Sequence, residues 1–286
     1  MVLRLVNNPT PLRRILIVLA CAALVACASP GAVEIVRDAP PLDRSLVARI
    51  TADDFAAAAF TSADGTTLPY RLLAPQRIEP GRRYPLVVQF HNSGGIGTDN
   101  RAQIEKDASA RAWALPEVRA DHPAFVLAPQ FSARSADYDN PKTPRAAFAA
   151  PQLSAALELI DRIAATHPVD RQRIYATGFS MGGSTAWLAA LARPDFFAAA
   201  VPVAAIAPER ARAATLARLP ILALHGDADT ENPIASDREM IAAIRAAGGR
   251  NARLREYVGL EHQPPGDFIP GRWWRDWMFA QRRESR

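Results

Sequence analysis

The chain predicts an α/β fold: a mostly parallel eight-stranded sheet with helices on both faces and no large cap. Short apolar runs of strand length alternate with segments of helical spacing, the pattern that covers a parallel sheet on both faces. Residues 51–286 hold no repeat, low-complexity block or internal linker, and are long enough for one domain with a sizeable core. One strand, Arg173–Thr177, passes through Gly178-Phe179-Ser180-Met181-Gly182 straight into a helix at Ser184–Leu191.

The N-terminus reads as an address. Arg4, Arg13 and Arg14 form a basic n-region, and Ile15–Ala26 is an apolar run too short to span a bilayer comfortably. The run ends in Leu24-Val25-Ala26-Cys27, which resembles a bacterial lipobox. Residues 1–26 are therefore expected to be a lipoprotein signal peptide, with Cys27 lipidated. Ala28 after the cysteine favours the outer membrane, facing the periplasm or the cell surface. Residues 27–50 carry several prolines and no long periodic run, and are expected to be a tether.

Removing this segment changes the bulk properties. The formal charge of +5 falls to +2 without its three arginines, which removes the case for a nucleic-acid partner. The only cysteines are Cys21 and Cys27, so the mature domain is expected to lack a disulfide.

Within the domain, Phe55–Thr61 and Thr66–Leu73 join through Ala63-Asp64-Gly65 as a hairpin. Pro85–Phe90 and Ala124–Ala128 are buried strands. Leu153–Ala165 has helical spacing, with Leu153, Leu157, Leu159, Ile160 and Ile163 on or near one face. Ala198–Val203 and Pro220–Leu224 are further strands. Ser236 is expected to cap a helix ending at Ala247, before Gly248-Gly249. Arg253–Val258 is the last strand, and 272–279 a closing helix whose Trp273, Trp274 and Trp277 are core packing.

The chemistry centres on Ser180. A strand turning directly into a helix holds its central residue in strained geometry, so the residues two before and two after must be small, as Gly178 and Gly182 are. The turn also puts the N–H of Met181 at a helix N-terminus, facing any oxygen that becomes negative. An acid and a histidine should follow in that order. Of the five histidines (His91, His122, His167, His225 and His262), only His262 lies beyond both Ser180 and the strand that carries the acid. Asp227 and Asp229 both follow strand Pro220–Leu224, with Glu231 more distant. The reach back over the sheet edge favours Asp229, and His225 is read as structural. The loop after the third strand, Phe90-His91-Asn92-Ser93-Gly94-Gly95, supplies a second N–H by position, that of Ser93.

Taken together, Leu86–Gly95, Leu127-Ala-Pro-Gln130, Asp170–Gly183 and His225-Gly-Asp-Ala-Asp229 resemble the α/β-hydrolase superfamily over about residues 60–281. The likeness is to its carboxylesterase and predicted-peptidase group, related to polyhydroxybutyrate depolymerases, feruloyl esterases and prolyl oligopeptidase catalytic domains. It implies a Ser180–Asp229–His262 triad, oxyanion donors at Met181 and Ser93, and no metal or cofactor. The family usually has His-Gly where this chain has His91-Asn92. If that position needs φ > 0, Asn is the most tolerant replacement, and its side chain would occupy space at the oxyanion loop.

The resulting expectation is a serine carboxylic-ester hydrolase acting on small, short acyl or aryl esters. Between Val203 and Leu219 there is room only for one short helix, such as Glu209–Ala217. The polar stretch Phe131–Pro144 is expected to rim the site. A prolyl-oligopeptidase-type serine peptidase is the alternative enzyme, although the chain lacks the length for a propeller. A lipoprotein using the fold as a non-catalytic binding scaffold is the third reading.

Overall fold

A nine-stranded sheet organises the structure, a computed structural model that describes residues 31–139, 144–269 and 271–283. The signal peptide expected at 1–26 and the lipidation site Cys27 lie outside the described residues. In chain order the strands are β1 (Val33–Val36), β2 (Ala56–Thr61), β3 (Thr67–Leu73), β4 (Tyr84–Phe90) and β5 (Phe125–Pro129). They continue with β6 (Ala136–Tyr138), β7 (Ala147–Ala149), β8 (Val169–Phe179), β9 (Ala199–Val203), β10 (Ile221–Gly226) and β11 (Ala252–Tyr257). The helices are α1 (Ala102–Glu105), α2 (Ala108–Arg111), α3 (Pro116–Asp121), α4 (Gln152–Thr166), α5 (Met181–Ala192), α6 (Ala235–Ala246) and α7 (Arg272–Phe279).

The large sheet runs β1-β11-β10-β9-β8-β4-β5-β3-β2. Only β2 with β3 and β3 with β5 pair antiparallel; the other pairs are parallel. The strands β4, β9 and β10 are buried along their whole length, as strands covered on both faces must be. Leu86, Val88 and Phe90 of β4 face a core completed by α4, α5 and α6, while Val87 faces a second core with Trp113, Trp274 and Met278. On β10, Ile221 and Ala223 join the first core, and Leu222 and Leu224 the second. This period-2 division fixes which side chains of β10 reach α6.

Strand β8 lies between β4 and β9, so the chain leaves in opposite directions on its two sides. The carboxyl end of such a strand is the crevice where open α/β sheets carry their sites. Four loops meet there, those following β4, β8, β10 and β11.

The structure corrects several expectations. The sheet has nine strands rather than eight, because residues 31–50 do not form a free tether. Val33–Val36 pairs in parallel with Leu254–Tyr257, and Val47 is fully buried beside Ala52 and Phe55. A buried valine contributes about 1.5 kcal/mol or more, so this segment is part of the domain. Residues 136–138 and 147–149 form a two-stranded ribbon within and beside the stretch expected to rim the site. The short helix expected at Glu209–Ala217 is a 3-10 turn over Arg210–Leu216. Ser236 lies inside α6 rather than capping it; its hydroxyl accepts from the N–H of Ala207 at 2.9 Å. Of the tryptophan stripe, Trp274 is fully buried, and Trp273 and Trp277 pack partly buried against the second core.

Candidate active site

β8 ends at Phe179 and α5 begins at Met181, leaving Ser180 alone to make the turn at φ 58°, ψ −121°. A serine at positive φ is strained and persists only where its surroundings over-determine it. Here its N–H donates to Val203 O on β9 at 2.9 Å. A Cβ on Gly178 would lie 2.5 Å from both Gly182 C and Phe90 O, and one on Gly182 would overlap Phe90 O. The two glycines therefore let the first turn of α5 press onto the end of β4. That contact carries the start of the helix to the loop after β4.

His262 bridges the serine and an aspartate. Its Nε2 lies 2.8 Å from Ser180 Oγ and its Nδ1 lies 2.7 Å from Asp229 Oδ2. Backbone packing between two loops makes this possible. Asp227 N–H donates to Tyr257 O at 3.0 Å and Ala228 N–H to Leu260 O at 3.2 Å. A Cβ on Gly226 would collide with Leu260 O, so the loop after β10 lies directly on the loop that carries His262. Of the two candidate acids, Asp229 reaches the imidazole. The other, Asp227, is exposed and accepts from Gly259 N–H at 2.6 Å, tying the two loops together.

The Asp229 side chain is fully buried, and its Oδ1 accepts from the N–H groups of Glu231 (3.0 Å) and Asn232 (2.8 Å). Burial alone would raise its pKa. Hydrogen bonds from His225, His262 and the Asn232 N–H outweigh burial and hold the carboxyl well below the usual range, so it is ionised and acceptor-only. His225, expected to be structural, sits buried immediately behind it, with Nε2 3.4 Å from Asp229 Oδ2.

The loop after β4 is fixed by His91. Its Nε2 accepts from Phe131 N–H at 3.0 Å, which puts the proton on Nδ1, 2.7 Å from Asn92 O. Burial lowers the His91 pKa to about 4 against that hydrogen bond, so the ring is neutral. Asn92 is at φ −70°, ψ 176°, which removes the premise that this position needs φ > 0. Its side chain instead caps the 3-10 turn Ser93–Gly95. Oδ1 accepts from Gly94 N–H at 2.8 Å, and Nδ2 donates to Lys106 O at 3.3 Å. Gly95 N–H is taken by Asn92 O at 3.0 Å. Ser93 opens this turn and Met181 opens α5, so each N–H lies at the start of a helical turn with no partner among the described residues.

Two neighbours take their places only through tertiary packing. Glu231, the most distant acid candidate, is exposed, with Oε2 3.7 Å from His262 Nε2. Tyr138 of the ribbon reaches α5, its hydroxyl 3.2 Å from Ser184 Oγ, while Arg145 donates to Glu231 O. These contacts put Tyr138 beside α5 and Arg145 beside the loop after β10, and neither follows from a local pattern. A cavity of about 530 Å³ between Arg145, Pro208, Arg210, Ser236 and Glu239 is lined by none of Ser180, Asp229 or His262. Among the described residues, no cluster of three or more His, Cys, Asp or Glu is placed to hold a metal ion.

The dienelactone hydrolase family model matches residues 77–263. NocK of Nocardia uniformis subsp. tsuyamanensis, which carries the name of an esterase, is 28% identical over 265 residues, covering 83% of this chain and 72% of that protein. A thermostable esterase superposes with TM-score 0.72 at 33% identity over 82% of this chain and 64% of its own, so this chain spans less than two-thirds of that protein's length. Porphyromonas gingivalis dipeptidyl peptidase 4 shares the fold, with TM-score 0.59 at 15% identity over 82% of this chain and 36% of its own.

Proposed function

The chain belongs to the dienelactone hydrolase family of the α/β-hydrolase superfamily, and we propose that it is a serine carboxylic-ester hydrolase working through an acyl-enzyme. The observation that carries this reading is the single imidazole hydrogen-bonded to Ser180 Oγ on one side and Asp229 on the other. His262 Nε2 takes the Ser180 proton as Oγ attacks the ester carbonyl. The ionised Asp229 holds the proton on Nδ1 and stabilises the imidazolium that forms. The N–H groups of Met181 and Ser93 receive the oxyanion; losing one such donor typically costs about 2.7–4 kcal/mol. The alcohol leaves with the proton from His262, and water, deprotonated by the same nitrogen, releases the acid from Ser180.

Short acyl or aryl esters are the substrates this site favours. Between β9 and β10 the described chain carries only the 3-10 turn Arg210–Leu216, which supports an open site without a large apolar cap. The rim is the ribbon with Tyr138 and the arginines stacked on it, Arg134 and Arg145, which suits small polar or aromatic esters. We also propose that residues 1–26 are an export signal and that Cys27 carries the lipid holding the enzyme to the outer membrane. Cys27→Ser should then release it from membranes, and a soluble wild type would refute the anchor.

The test of the hydrolase reading is covalent labelling with a fluorophosphonate, run beside a panel of p-nitrophenyl, aryl and peptide substrates. Label on Ser180, lost in Ser180→Ala together with about 10⁴–10⁶-fold in kcat, is the expected result. An unlabelled wild type, or a Ser180→Ala protein as active as wild type, would refute it. Faster cleavage of peptides than of esters would transfer the same machinery to a peptidase.

A further inference from the structure

We propose that His225 is a positioning residue of this site: a buried imidazolium that keeps Asp229 ionised and aimed at His262 through the reaction. The inference rests on the hydrolase reading above and adds a fourth side chain to it. His225 is at the carboxyl end of β10, with its side chain fully buried on the face toward α5 and α6. Its Nε2 lies 2.7 Å from Asn232 O, a carbonyl that can only accept, so Nε2 carries a proton. Its Nδ1 lies 2.7 Å from Asp237 Oδ2 of α6. The other oxygen of Asp237 accepts from Trp187 Nε1 of α5 at 2.9 Å, which fixes the orientation of that carboxyl. With an acceptor facing each nitrogen, both hydrogen bonds are satisfied by a ring protonated at both.

That cation is 3.4 Å from Asp229 Oδ2, the oxygen that also accepts from His262. Two imidazoles thus share one carboxylate oxygen. The remaining charges around His225 do not cancel this arrangement. Glu256, its register partner on β11, is paired with Arg238 of α6 at 2.5 and 3.0 Å. Glu231 lies on the exposed side of Asp229, and alongside, Val203 at the end of β9 and Ala204 after it carry no charge.

The chemical consequence is specific. A buried carboxyl with no cation behind it takes up a proton more readily, and a protonated Asp229 would be a donor that no longer dictates the His262 tautomer. The cation of His225 disfavours that uptake and so extends activity toward acid. Burial pushes His225 down, but its hydrogen bonds to Asp229 and Asp237 overcome that and raise it to about 9, so the ring stays charged across the neutral range.

The experiment compares pH profiles of kcat/KM on p-nitrophenyl acetate for wild type and His225→Gln, which retains a donor without the charge. The expected result is an acid limb displaced upward by about one to two pH units, with partial recovery of rate at high pH. A limb that stays in place, whether or not the rate falls at every pH, would overturn the proposal. Nitrogen-15 NMR of the wild-type ring at pH 7.5 decides independently of whether the variant folds. Two protonated ring nitrogens on His225 are expected, and one bare nitrogen would overturn it. A neutral His225 in a protein whose Ser180→Ala variant is inactive defeats this inference alone. An active Ser180→Ala variant defeats the hydrolase reading and takes this inference with it.

Discussion

His225 and Arg275 are both buried cations, one on each face of the sheet, and they are held in opposite ways. His225 sits between Asp237 and Asp229, each reaching one ring nitrogen. Arg275 of α7 has no carboxylate partner among the described residues. Its guanidinium donates to Ile269 O and Gly271 O and lies 4.7 and 4.4 Å from the ring centroids of Trp113 and Trp274. Burial favours the neutral form of both groups. For His225 the carboxylates reverse that and raise it to about 9, whereas burial lowers Arg275 to about 9, where it remains charged at neutral pH. The difference separates two uses of buried charge. Around Asp229, charges are matched so that one carboxylate stays an acceptor. Around Arg275, carbonyls and ring faces hold a cation that clamps the chain before α7 onto Trp113.

The contrast breaks most visibly in activity. Asp229→Asn should lower kcat/KM about 10⁴-fold with the fold intact, because it removes the carboxylate shared by both imidazoles. Asp227→Asn, whose amide oxygen can still accept from Gly259 N–H, should stay within about threefold. The reverse outcome in steady-state assays would move the acid to Asp227. Arg275→Ala should do the opposite. It should cost roughly 3 kcal/mol in denaturant unfolding, from the cavity between two tryptophans and two orphaned carbonyls, while the acid limb of kcat/KM does not move.

The comparison sharpens with pH. The folded state raises His225 from 6.5 to about 9, so its contribution to stability is complete below pH 6.5 and fades as pH rises through 9. Unfolding free energies measured from pH 6 to 9 should therefore fall by an amount on the order of 3 kcal/mol, and His225→Gln should flatten that slope. A slope unchanged in the variant would show that another group titrates. The smallest effect is expected at Asn92, whose side chain is a cap. Asn92→Gly should cost a few tenths of a kcal/mol and leave kcat/KM within about twofold. A tenfold loss would mean that the amide meets substrate.

What could be read from the residues alone follows the same physics. The sheet strands and long helices were legible because apolar runs and 3.6-residue spacing record burial directly, and the turn at Ser180 because only glycine fits at 178 and 182. The order along the chain selected His262, and the reach back over the sheet edge separated Asp229 from Asp227; the fold brings both to Ser180. β1 left no such mark: three of its four residues are exposed, and only Val36 packs partly buried against the second core. The ribbon strands have three residues each and α1, α2 and α3 at most six, too short for a period to register. Ser236 was misplaced, and the role of Asn92 stayed open, because a polar side chain near a turn has several partners, which only tertiary packing selects. His225 needed Asp237 from the next helix, and nothing local links the two.

The most direct measurement is to quench the enzyme in acid during turnover of p-nitrophenyl acetate, digest it and locate the trapped acyl group by mass spectrometry. An acetyl group on the Ser180 peptide, present in wild type and absent in Ser180→Ala, is the result expected. Acetyl on a different residue, or undiminished turnover by Ser180→Ala, would contradict it.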